Sequence, residues 1–172
     1  MTDKDRRPAR KTGWLPQQVP LSEVQNATLR KALAVWTAKK ADRPMPAREA
    51  LTPRDMAEFL RNIVLVKVLD GEFQFRIVGD AIVAIQGGTF QGMNTAEIED
   101  AVPGYGRALR EVYSHLCSVR EPLAFRGNNQ SPATGRPFFQ ETFLLPLGAD
   151  GETVDHILVV TVYSYGEDGP RA

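Results

Sequence analysis

The sequence predicts an α+β fold: a five-stranded antiparallel sheet with helices on one face, inserted between the second and third strands, plus an N-terminal helix. Three observations carry this. Residues 63–69 and 72–78 are strand-like runs joined by Asp70-Gly71, a dipeptide suited to the tight hairpin turns that need positive φ. Residues 122–126, 138–147 and 153–163 read as a closing meander, with a long polar connection (GNNQSPATGRP) and then the compact Gly148-Ala149-Asp150-Gly151 turn. Between these two groups the apolar period changes from two to three or four, which is the mark of helices.

Along the chain, residues 1–20 hold five basic and two acidic side chains with three prolines, the composition of a flexible basic arm. Ser22 with Gln25 is a capping-box pattern that predicts the start of a helix, and residues 21–45 are read as this N-terminal element. Leu29, Ala32, Leu33 and Trp36 form its apolar stripe, widened by Val24 and Val35. Such a stripe docks on the chain's own sheet or on another copy, so Leu29, Leu33 and Trp36 are candidate homodimer or partner contacts. Thr52, Pro53 and Asp55 predict a second, short helix reaching Leu60.

In residues 72–78, Phe73, Phe75 and Ile77 alternate with Gln74 and Arg76, as in a strand with one buried face. Gly79-Asp80 then opens a short helix carrying Ile82, Val83 and Ile85, which Gly87-Gly88 stops. Asn94 with Glu97 is a second capping pattern. Past Pro103-Gly104, a longer helix lays Tyr105, Ala108, Leu109, Val112, Leu116 and Val119 on one side. Residues 46–165 are read as the domain and 166–172 as a disordered tail.

Several fragments fall in a familiar order: Trp36 on a helix, Pro46 with Arg48, Pro53 with Asp55, Arg76 with Gly79 at a strand end, and Gly87 with Gly92. Their order and spacing over residues 30–163 resemble small PAS-like proteins of proteobacteria, the PAS_5 type. The resemblance implies a bacterial, stand-alone sensory or regulatory module of signal transduction rather than an enzyme.

Composition narrows the function classes. With 21 Lys and Arg against 21 Asp and Glu, no global field points to nucleic acid or to an acidic membrane surface. The single cysteine, Cys117, excludes an internal disulfide and a multi-cysteine zinc site, and suits a reducing compartment. No apolar run approaches the roughly 20 residues a membrane span needs, and no signal-peptide stretch opens the chain. The expected location is the cytoplasm.

Reactive groups are sparse. His115 and Cys117 lie two apart on a helix and so point apart, which argues against a nucleophilic pair. His115 is the conceivable axial ligand for haem but sits at the edge of the apolar stripe, and the flavin photosensors' Asn-Cys-Arg-Phe-Leu run does not occur, so neither cofactor is expected. His156 falls in a strand. Gly87, Gly88 and Gly92 fit no phosphate-binding pattern, and Glu97, Glu99 and Asp100 read as a solvated face rather than a metal site. Arg76, among apolar neighbours, is either paired structurally or offered to an anionic ligand. Asn128, Asn129 and Arg136 are loop candidates for partner contact.

The expected mechanism is a small apolar or anionic ligand held between sheet and helices, with output through a protein partner or a dimer surface. Periodicity nominates Phe75 and Ile77 on the hairpin, Leu109 and Val112 on the long helix, and Phe143 and Val160 on the late strands as cavity walls, with Arg76 beside them. The rivals are a ligand-free interaction adaptor, which needs an exposed apolar patch from Leu29 to Trp36, and a small enzyme, which needs a pocket with perturbed titratable groups.

Overall fold

A computed structural model describes residues 16–166. Its strands are β1 (Gln17–Val19), β2 (Ile63–Val68), β3 (Phe73–Val78), β4 (Leu123–Gln130), β5 (Pro137–Leu147) and β6 (His156–Ser164). They form one antiparallel sheet in the order β1-β4-β5-β6-β2-β3. The helices are α1 (Ala27–Lys40), α2 (Asp80–Gln86), α3 (Thr95–Ala101) and α4 (Tyr105–Val119). The five expected strands are present, and β1 adds a sixth. It lies within the stretch expected to be a flexible arm, and pairs Gln17 with Arg126 and Val19 with Ala124. The rest of that arm, and the tail beyond residue 166, lie outside the described residues. Among the described residues no helix is long and apolar enough to cross a membrane.

Local chemistry sets most element ends. Asn26, rather than Ser22, starts α1, because its side chain accepts from the backbone N–H groups of Thr28 (3.0 Å) and Leu29 (3.3 Å). Ser22 belongs to a separate single turn, Leu21–Glu23, onto which Gln25 folds back. Thr52 and Asp55 do form a cap, with the Thr52 hydroxyl and N–H both donating to the Asp55 carboxylate. The helix they predict does not propagate: residues 53–59 stay as turns ahead of the single turn Leu60–Asn62. So short a run repays helix nucleation poorly, and here it is anchored by buried Phe59 and half-buried Met56. The Asn94–Glu97 capping box is complete and opens α3. The polar connection expected after residue 126 is partly strand, since β4 continues to Gln130 opposite Pro137 and the turn itself is short.

Both faces of the sheet are covered. On β5, Thr142 and Leu144 face the side closed by α2, α3 and α4, so Phe143 and Leu145 face the other side, where α1 lies. Trp36 on α1 is buried there and its indole N–H donates to the Pro146 carbonyl at 2.8 Å. Residues 43–59 extend this outer layer: the Arg43 guanidinium donates to the carbonyls of Gly148 and Ala149, and Met45, Leu51 and Phe59 are buried. A sheet covered twice needs apolar side chains on both parities, which is why IVLV, FLLPL and ILVV run almost without a polar break.

Candidate functional site

Between the inner face of the sheet and helices α2 and α4 lies a cavity of about 590 Å³. The sheet contributes Val64, Phe75, Phe125, Leu144 and Val159; the helices contribute Ile82, Ile85, Leu109, Val112 and Tyr113; Phe90 closes it from the loop before α3. Aromatic rings meet around it, edge to face or tilted. Phe75 stands 6.5 Å from Phe90 and 6.4 Å from Tyr113, centroid to centroid, and Phe138 stands 5.1 Å from Tyr163.

One part of the wall is polar and uncharged. On β5 and β6, Gln140, Thr142, Thr161 and Tyr163 face inward at strand spacing. The Thr142 and Thr161 hydroxyls share a hydrogen bond, and Gln140 donates its amide to Thr142 at 3.1 Å. From the helices, the Gln86 amide donates to the Tyr105 hydroxyl at 3.5 Å, while Gln86 Oε1 is buried without a partner among the described residues. Among the described residues no Asp, Glu, Lys, Arg or His lines the cavity. Burial pushes the Tyr105 phenol up to about 12, against the opposing effect of its bond with Gln86. Tyr113 is raised well above the usual range by burial, and then by the nearby Tyr105 and Tyr163 phenols; Tyr163 is raised by burial and by Tyr105 and Tyr165. The three phenols therefore stay protonated at neutral pH.

The β4–β5 turn clasps the end of α2 beside this wall. Its Ser131 hydroxyl, buried, donates to the Ile85 carbonyl at 2.6 Å. Gly87, which ends α2 in the left-handed region at φ 74°, lets the turn lie close: a Cβ there would sit 2.9 Å from that of Ala133.

Glu72 fixes the helical layer to the hairpin. Its carboxylate accepts from the Thr95 hydroxyl, from the Ala96 N–H at 3.1 Å and from the Arg110 guanidinium at 2.6 Å, so one side chain joins the β2–β3 turn, the start of α3 and the middle of α4. Burial works against the charged form, but the bonds from Thr95, Arg110 and Ala96 outweigh it and hold the carboxyl below its ordinary range. Unfolded, Glu72 protonates first as pH falls, so its stabilisation is present above the ordinary glutamate range and is lost as pH falls through the lowered folded value. Glu72→Gln is expected to cost about 1 kcal/mol at neutral pH. The gap to wild type in urea midpoints should close as pH falls through and below the ordinary glutamate range; a gap that ignores pH would assign the effect to packing.

The nominated residues divide. Phe75, Leu109 and Val112 line the cavity. Ile77, Phe143 and Val160 do not: Phe143 and Val160 are buried on the outer face, and Ile77 points to that same side at its margin, beside Leu65 and Leu158. The cause at Ile77 is a register shift between Leu65 and Val66, which pair with Ile77 and Phe75 and leave Arg76 extra. Arg76 is exposed and donates to the Gln74 side chain at 3.1 Å; it is not among the residues that line the cavity, and among the described residues it has no carboxylate partner. Leu29 and Trp36 are buried against the chain's own sheet and Leu33 is half-buried, which removes the apolar patch a dimer or adaptor surface along α1 requires. Asn129 lines the cavity, whereas the Arg136 guanidinium lies 4.7 Å over the Tyr165 ring.

Sequence reasoning missed Tyr113, Gln86 and the inward ladder of β5 and β6. Tyr113 follows Leu109 by four residues and precedes Leu116 by three, so the helical stripe contained it. Gln140 with Thr142, and Thr161 with Tyr163, show the period of two that marks one strand face. Cys117 is half-buried, lies outside the cavity, and burial pushes its thiol up, toward the unreactive protonated form. Among the described residues no three of His, Cys, Asp and Glu gather as a metal site.

Solved structures with a similar course of chain include the Rhodobacter sphaeroides LOV protein (15% identity, TM-score 0.46), with 85% of this chain and 71% of that one covered. Another is an RNA-binding Light-Oxygen-Voltage receptor (14% identity, TM-score 0.44), with 86% of this chain covered; the chain spans 37% of that receptor's length. No curated protein matches by sequence. The family model PAS_5, described as PAS domain, matches residues 24–162, from the approach to α1 to the end of the sheet. The chain belongs to the PAS-domain family.

Proposed function

We propose that this PAS domain is a ligand-binding sensory module, which holds a small molecule between the sheet and α2 and α4 and passes on its occupancy by non-covalent contact. The observation that carries this reading is the cavity itself. Its volume of about 590 Å³ falls within the range of small-molecule sites, and its wall has the composition of one: mostly apolar and aromatic, with a few fixed polar groups. Occupancy changes the protein only through differential affinity for two packings of helices on sheet. The α4 helix is the element best placed for this, because it supplies cavity wall through Leu109, Val112 and Tyr113 and is tied to the hairpin through Arg110.

Native mass spectrometry of freshly purified protein tests the reading. The expected spectrum shows the chain with a bound small molecule that leaves on unfolding. Val112→Trp, which fills the cavity from a half-buried position, is expected to abolish the adduct with the far-UV circular dichroism unchanged. Wild-type protein that carries no adduct sinks it.

A further inference from the structure

We infer that the cavity takes a flat, ring-containing ligand chosen for a hydrogen-bond acceptor, a ring nitrogen or a carbonyl oxygen, and that its donors are Tyr113 on α4 and the Thr142–Thr161 pair on the sheet; this rests on the cavity being a ligand site.

The sheet side follows from counting hydrogens. Thr142 and Thr161 are 5% and 3% exposed, and both line the cavity. Each carries one hydroxyl hydrogen, and the bond they share spends one of the pair. Gln140 gives its amide N–H to Thr142 at 3.1 Å and so takes neither. Whichever way the shared bond runs, one hydroxyl hydrogen is left over, and no acceptor among the described residues meets it.

The helix side follows from Tyr113. Its ring is held by Phe73 at 5.4 Å and Phe75 at 6.4 Å, centroid to centroid, and the residue is 3% exposed. The hydroxyl has no hydrogen-bond partner among the described residues, yet it is not sealed in: the partnerless side-chain atoms that are closed to water there are Gln86 Oε1 and Arg110 Nε. Because the residue lines the cavity, the surface that its hydroxyl keeps opens on that space.

Both places therefore hold a hydrogen to give. A hydroxyl that only accepts from a ligand keeps that hydrogen unplaced, and a buried donor without a partner costs about 1–3 kcal/mol. An oxygen with a spare lone pair is tolerated more readily than an orphaned donor. A ligand acceptor is thus worth more here than a ligand donor. Phe75, Phe90 and Tyr113, with ring centroids 6.5 and 6.4 Å apart, give a flat ring its remaining contacts.

Naphthalene, quinoline and isoquinoline share one shape and differ in an acceptor nitrogen and its position. Each is titrated calorimetrically at pH 7 into the full chain, and the ratio of aza-ring to naphthalene affinity is read, so that the cost of stripping water from the nitrogen cancels between variants. Tyr113→Phe keeps the ring contacts, and Thr142→Val with Thr161→Val keeps the shape of the pair. Each variant is expected to lower the ratio about tenfold for the aza-ring whose nitrogen meets the lost hydroxyl, equal to about 1.4 kcal/mol. Naphthalene's own affinity should stay unchanged, with thermal melts confirming that both variants fold. A ratio that one variant leaves unmoved for both aza-rings overturns the assignment of that donor, and a ratio unmoved in both variants overturns the acceptor selectivity. If an adduct is seen by mass spectrometry and none of the three rings binds, the ligand-binding reading stands and this inference falls. Protein without an adduct brings down both.

Discussion

Trp36→Ala is expected to destabilise the protein by about 3–5 kcal/mol, the range for removing a large buried aromatic side chain. The residue is 4% exposed, lies in the same core as the strands β5 and β6, and leaves the Pro146 carbonyl without its indole donor when truncated. Trp36→Phe separates the two contributions: it keeps most of the apolar contact and loses only the hydrogen bond, so about 1–3 kcal/mol should remain. Urea unfolding checks both through a lowered midpoint at unchanged slope. Because the side chain is covered by its own sheet, Trp36→Glu is expected to unfold the protein rather than to dissociate an assembly. A soluble, folded Trp36→Glu protein would show that α1 can leave the sheet and that its stripe has another use.

The second large effect belongs to Gly106→Ala. A Cβ at this position would lie 2.1 Å from the Thr95 carbonyl oxygen and 2.5 Å from the Glu99 backbone nitrogen, so the obstacle is main chain and no side chain can turn aside. Alanine gains up to about 1 kcal/mol in helix propensity over glycine. Overpacking costs typically 1–3 kcal/mol, and more where backbone must move, so the net is expected to be a loss of about 2 kcal/mol or more. Parting α3 from α4 also disturbs Glu99, whose carboxylate accepts from the N–H groups of Gly104 (2.8 Å) and Arg107 (2.9 Å) and so caps the start of α4. Midpoints for this variant at or above wild type would mean that the α3–α4 crossing is looser than its geometry.

The sequence made the order of elements readable because each strand pair and helix start carries local chemistry: Asp70-Gly71 in its turn, Asn94 with Glu97 at α3, and the Leu109, Leu116 stripe on α4. It misled wherever the decisive contact is distant. β1 is too short and polar to look like a strand, and exists because β4 offers it an edge. The helix expected after Thr52 fails although its cap forms, since burial of Phe59 settles its path instead. The cavity was half legible. Helix α4 gave Leu109 and Val112 correctly because a helix with one buried face keeps its period, while β5 and β6 are buried on both faces, and alternation then ceases to tell inside from outside. Phe143 and Val160 are as apolar as Leu144 and Val159, and only the register places them on opposite sides. At Ile77 a single extra residue, Arg76, reversed the parity.

That same placement has a mechanical meaning. Thr142 and Leu144 touch the cavity while Phe143 and Leu145, between and beyond them, support α1, so the partition separating the two compartments is one polypeptide layer thick. Close-packed interiors transmit strain rather than absorb it. On the side away from the cavity, the Arg30 guanidinium sits 6.0 Å over the Phe143 ring and the Trp36 indole is bonded to the Pro146 carbonyl, so α1 rests directly on the strand that lines the cavity. The sheet is thus a shared wall, with the cavity against one face and the N-terminal helix against the other.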